Sequence, residues 1–146
     1  MKVILVCFLK EVVLGKLYKT DLGILVFDVT SGPAGWVAEN SELVAKFLKI
    51  TADANAMWAD TSNHTKMLPA IAKDAGMDET ATAETMSTFV FPTVDDQLSA
   101  TWLGGGAQEF MKGVADVFVA AESIDSALGS YAGNVNTDPL ASAKDM

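Results

Sequence analysis

The sequence predicts a helix-rich α/β fold, in which one strand region is followed by a run of packed helices. Three observations carry this expectation. Residues 24–30 are filled by β-branched and aromatic side chains and are closed by Ser31-Gly32-Pro33, the pattern of a strand that ends in a turn. Beyond that turn, apolar residues recur at helical spacing in segment after segment. Strand and helix patterns nowhere alternate regularly, as a free-standing doubly wound domain would require. The chain therefore reads as the helical end of something larger.

Composition narrows the function classes. At 146 residues and half hydrophobic, the chain fits one domain with a real core. Its formal net charge is -9, and Lys and Arg form no concentrated patch. Phosphate-backbone binding needs such a patch, so nucleic acid and anionic membrane surfaces are poor partners. A single cysteine, Cys7, excludes an internal disulfide or a Cys-based zinc site, and a single histidine, His64, excludes a multi-histidine metal centre. A Ser/His/Asp triad would have to use that one imidazole, and no Gly-x-Ser-x-Gly elbow accompanies any serine. The expectation is a protein that is not an enzyme and uses no metal or cofactor.

Residues 1–9, MKVILVCFL, resemble a short signal core, but Lys10-Glu11 follow at once and no small-x-small cleavage site precedes Asp21. They fall far short of the ~20 apolar residues that span a bilayer. Residues 1–17 read as a strand or a helix of uncertain role. After the strand at 24–30, a short helical turn at 34–38 forms around Trp36. Ser41 caps a helix over 42–59 that buries Leu43, Val44, Phe47, Leu48, Thr51, Ala54 and Trp58. A second helix covers 63–74 with Met67, Leu68, Ile71 and Ala72 on one face. Pro69 kinks or restarts it, and Gly76 caps its end. Asp78 caps a third helix over 79–86.

The aromatic run 88–91, closed by Pro92, suits an edge strand. Thr93 and Asp96 have capping-box spacing, which starts a helix over 94–103. Three glycines, Gly104 to Gly106, then either cradle an anion on backbone N–H groups or simply connect two helices. No Lys-Ser/Thr of a phosphate loop follows them. A long helix over 107–121 buries Phe110, Val114, Val117 and Phe118. Ser123 caps a short helix over 124–128, and Asp138-Pro139 begin a last one.

One stretch, GILVFDVTSGPAGW at 23–36, carries the candidate site. Asp28 sits at the exit of a mostly apolar strand, just before a Gly/Pro turn, where ligand-facing residues are frequent. A carboxylate there is costly unless a cation meets it. The alternative is that it caps the following turn through backbone groups of Thr30 or Ser31.

From Gly23 onward the chain resembles the carboxy-terminal portion of the periplasmic taurine-binding proteins of ABC importers, within the taurine, sulfonate and nitrate receptors. The matching stretches are FDVTSGPAGWVAENSELVAKF at 27–47, AKDAGM at 72–77 and TFVFPTVDDQL at 88–98. WLGGG and FMKGVADVF follow in the same order. The resemblance implies a truncated type II periplasmic-binding-protein fold, a two-lobed α/β receptor that hinges shut over its ligand. It divides the chain into a non-family segment, 1–22, and the solute-binding portion, 23–146. It also implies Asp28 as the ligand of the taurine ammonium, taurine or a related aminosulfonate as partner, an ABC permease as transport partner, and a periplasmic location. The donors that hold the sulfonate in that family belong to the first lobe, which 23–146 does not match. The competing expectation is a helical interaction module without a small-molecule ligand, whose exposed apolar faces on 42–59 and 107–121 bind another protein or a second copy.

Overall fold

A computed structural model describes the backbone of 8–10 and 27–28 and residues 29–146 in full. The signal-like reading of 1–9 and positions 24–26 of the expected strand fall mostly or wholly outside the described residues. The described chain is helix-rich. In order it forms β1 (Phe8–Lys10), β2 (Phe27–Asp28), α1 (Ala34–Glu39), α2 (Ser41–Ala59), α3 (His64–Ala75) and α4 (Glu79–Met86). Then come β3 (Phe89–Val90), α5 (Val94–Leu98), α6 (Gly106–Ala120) and α7 (Asp138–Lys144). No described helix is long and apolar enough to cross a membrane.

The three strands form one small sheet in the order β2-β1-β3, with both pairings antiparallel. Leu9 stands opposite Phe27 on one side and Val90 on the other. The helix-rich half of the fold expectation is met. The α/β half is not supported, because two- and three-residue antiparallel strands are not the parallel, helix-covered sheet of that class. Segment 88–91 does end up on an outer strand, as its closing proline suggested.

The core is made where the last helix returns to the longest one. Helix α7 packs along α2 and also touches α5. Val37, Val44, Ala45, Leu48, Leu103, Ala107, Leu140 and Ala143 are buried together there, with Val94, Leu98, Trp102 and Val135 packed around them. Ala45, Ala107 and Ala143 are small enough to let the backbones approach closely, so the leucines fill the space between.

Several local signals act as read. Asp78 Oδ1 accepts the Ala81 N–H at 2.9 Å, and buried Thr82 donates its hydroxyl to the Asp78 carbonyl at 2.8 Å. Thr93 Oγ1 accepts the Asp96 N–H at 3.1 Å while Asp96 accepts from Thr93 N–H at 3.3 Å, closing the capping box. Gly76 ends α3 in the left-handed region at φ 66, and Met77 donates back to the Ala72 carbonyl at 2.9 Å, as a glycine-terminated helix does.

Others are corrected. Ser41 is the first residue of α2 rather than its cap. Asn40 occupies the cap position, and its amide bonds the Trp36 carbonyl at 2.8 Å, finishing α1 instead. Pro69 does not restart α3, which runs continuously through it. At the sixth helical position a proline removes one N–H···O=C bond, and packing of the surrounding turns outweighs that loss. Asp138 and Pro139 do open the last helix, but one position further in, behind Thr137.

Helix α5 ends at Leu98, five residues early. Ser99 is extended (ψ 164), and its hydroxyl caps the Asp96 carbonyl at 2.6 Å. Leu103 is buried nonetheless, because its N–H folds back to the Gln97 carbonyl at 2.9 Å. Residues 124–128 are not helical. The Ser123 N–H bonds the Phe118 carbonyl at 2.9 Å, so it terminates α6 and starts nothing.

That α6 ending contains an improvable residue. Glu122 has φ 55, among the described residues the only non-glycine in the left-handed region. There a Cβ costs about 1 kcal/mol. Glu122→Gly is expected to raise the unfolding free energy by about 1 kcal/mol in urea melts.

Candidate functional site

The chain leaves β2 at Asp28 and runs through the irregular stretch 29–33, which is neither a turn nor a bend although Ser31-Gly32-Pro33 suggested one, to α1. Thr30, Ser31 and Gly32 form one wall of an open groove of about 360 Å³, with Trp36, Val37, Leu43, Val44 and Phe47 forming the rest. Gly32 makes the close approach of this stretch to the helix possible, since a Cβ there would meet Val37 Cγ2 at 3.2 Å. Pro33 starts α1, and its carbonyl accepts the Val37 N–H at 3.0 Å. Val37 is thereby fixed as the groove's buried floor, while Trp36 next to it stands half exposed at the rim.

Asp28 is thus placed by its backbone at the last position of β2, opposite Phe8, two residues before the groove begins. The groove contributes apolar and aromatic surface, and among the described residues that line it none is cationic. Chemically it suits the hydrocarbon part of a small ligand or a cation against the ring face of Trp36. Its described residues supply no side chain that would neutralise a sulfonate. Trp36, Leu43 and Phe47 were not read as site residues from the sequence. Helical spacing assigned the last two to the core, and only the proximity of 30–32 to α2 reveals their second role.

A second cavity of about 240 Å³ lies between α2, the start of α5 and the end of α7. It has two lysines in its lining, Lys49 and Lys144. Each is already matched: Lys49 bonds Asp53 at 2.6 Å, and Lys144 bonds Asp95 at 2.5 Å, which holds the Lys144 ammonium above its ordinary pKa. The cavity therefore offers little net positive field to an anion. Asn55 also lines it, and its Nδ2 is buried with no hydrogen-bond partner. Leaving a buried donor unmatched costs about 1–3 kcal/mol. Asn55→Leu, alike in branching and with its extra volume directed into the adjoining cavity, is expected to stabilise the fold by about 1 kcal/mol, measured by chemical denaturation.

The remaining sequence candidates are structural. The His64 ring stacks on Trp58 with centroids 3.9 Å apart and planes 14° from parallel, and its Nε2 bonds the Trp58 carbonyl at 2.8 Å. This one imidazole pins the corner between α2 and α3. The glycine run is a connector: Gly104, Gly106 and Ala107 donate to the carbonyls of Ser99, Ala100 and Trp102 at 2.8–2.9 Å. Those N–H groups are not turned toward an anion. Among the described residues, no group of three His, Cys, Asp or Glu side chains converges as a metal site would require.

Comparison with protein families, curated proteins and solved structures finds no match to this chain.

Proposed function

We propose that the chain is the carboxy-terminal portion of an aminosulfonate receptor of the taurine type, part of a type II α/β periplasmic-binding fold, and that Asp28 is its ammonium ligand. The observation that carries this reading is the position of Asp28 at the end of β2, directly before the wall of the Trp36 groove. The ordered resemblance of 27–47, 72–77 and 88–98 to taurine receptors supports it as well. On this reading the protein works in the periplasm with an ABC permease, and it binds and releases its ligand without catalysis.

Taurine is a zwitterion, so both of its ends must be held for tight binding. One carboxylate facing one ammonium near a surface gives at most about 4 kcal/mol, which corresponds to a Kd of about 1 mM. The described residues of the groove lining add no cation for the sulfonate. This chain by itself is therefore expected to bind taurine weakly, and the sulfonate donors belong to the receptor's other lobe. Nuclear magnetic resonance titration tests the assignment. Taurine should shift the amides of 28–32 and the Trp36 indole N–H, whereas ethanesulfonate, which lacks the ammonium, should leave them in place. Equal shifts with both compounds would remove Asp28 from the site.

A second reading, a helical interaction module, is favoured by the apolar faces that α2 and α6 leave exposed.

A further inference from the structure

Helix α2 is apolar on two sides. One side carries Val44, Ala45 and Leu48 into the core. Well away from it around the helix, Leu43, Phe47, Ile50, Ala54 and Met57 form a second stripe. The stripe is exposed: Ile50 stands 70% open to solvent, Leu43 57%, Phe47 53% and Met57 52%. The steps from 43 to 47, 50, 54 and 57 alternate four and three residues, the spacing of a coiled-coil seam. A helix with one buried face needs no second apolar stripe for its own fold. A continuous apolar row on an exposed helix, with large side chains at all but Ala54, marks a contact surface.

The charges beside the stripe indicate what covers it. Lys46 and Asp53 flank the same edge, one toward each end of the seam. If two copies of α2 pack antiparallel, each such edge faces its own counterpart, and Lys46 of one copy meets Asp53 of the other twice about the two-fold axis. Parallel packing would instead oppose that edge to the one carrying Val44, Thr51 and Trp58, with no charge to match. Lys46 and Asp53 also bond Glu42 and Lys49 within the helix, both at 2.6 Å. Exposed pairs of this kind contribute little and leave both groups free to re-pair.

We propose that the 43–57 face of α2 is the contact surface of a homodimer in which two α2 helices pack antiparallel. The seam is self-complementary in spacing and charge, so a second copy of this chain is the occupant it fits. The surface extends at one end to the Trp36 rim through Leu43 and Phe47, while its centre, Ile50, lies outside the groove.

Sedimentation velocity on the full chain, from low to high micromolar, tests this. The wild type should show a monomer–dimer equilibrium. Ile50→Glu should weaken it at least about tenfold, with a circular dichroism melt unchanged at concentrations where the wild type is monomeric, because Ile50 is not part of the core. Asp53→Lys should weaken it as well, and Lys46→Asp combined with Asp53→Lys should restore it. A wild type that stays monomeric overturns the proposal, as does a dimer that Ile50→Glu leaves intact but Val117→Glu on α6 abolishes. Failure of the double reversal to restore dimerisation overturns the antiparallel arrangement. Ile50→Glu leaves the taurine-dependent shifts at 28–32 in place if that separate reading holds, so the two fail independently.

Discussion

Leu48→Ala is expected to lower the unfolding free energy by about 3 kcal/mol, seen as a midpoint drop of roughly 6–12 °C for a chain of this size. Leu48 is 1% exposed and sits among Val44, Ala45, Leu140 and Ala143 where α7 lies along α2. Two of those neighbours are alanines, which have no side-chain freedom with which to fill the gap. The cavity therefore persists and adds to the lost transfer energy. Leu43→Ala, five positions earlier on the same helix, is expected to change stability by less than about 0.5 kcal/mol. Similar losses at both positions would mean that the outward stripe of α2 is part of the fold.

Gly106→Ala is expected to cost about 3 kcal/mol, at the upper end of overpacking effects. A Cβ at this position would fall inside the Thr101 carbonyl group, and that neighbour is backbone. Relief requires opening the turn 99–105, with loss of the bonds from Gly106 to Ala100 at 2.9 Å and from Ala107 to Trp102 at 2.8 Å. Leu103 and Ala107, both buried, would be displaced together. Gly113→Ala is the informative control. A Cβ there meets nothing within 4 Å, and the residue lies inside α6, so helix propensity alone should stabilise it by about 0.5–1 kcal/mol. Opposite signs at the two glycines separate a packing requirement from chain flexibility.

Helices and their ends were legible from the sequence wherever the signal is local. Asp78, Thr93 with Asp96, and Gly76 all act within a few residues of themselves, so sequence spacing carries their geometry. The faces were less legible. Spacing placed Leu43 and Phe47 with Val44 and Leu48, and Phe110, Val114, Val117 and Phe118 in the core, yet the structure leaves Leu43, Phe47 and all four of the α6 residues open to solvent. Periodicity identifies an apolar stripe but not what covers it. On α2 the arbiter is α7, more than ninety residues further along the chain, whose Leu140 and Ala143 select the Val44–Leu48 side.

Cap competition explains the boundary errors. Asn40 and Ser41 both qualify as caps, and the choice depends on the preceding helix needing the Asn40 amide at its own end. Ser123 likewise has cap chemistry, but its N–H completes α6. For the candidate site, Asp28 was legible as a charge at a strand exit. The Trp36–Phe47 groove was not, because it forms where the irregular stretch 30–32 comes against residues of α1 and α2.

Taurine affinity of the wild type against Asp28→Asn, measured by chemical-shift titration on the folded chain, tests the receptor reading most directly. Wild type is expected to bind in the range of about 1 mM. The uncharged, nearly isosteric variant is expected to lose at least about tenfold of that affinity, since it removes the charge that meets the ammonium. Equal affinity in the two proteins would contradict the assignment and leave Asp28 as a cap of the backbone that follows it.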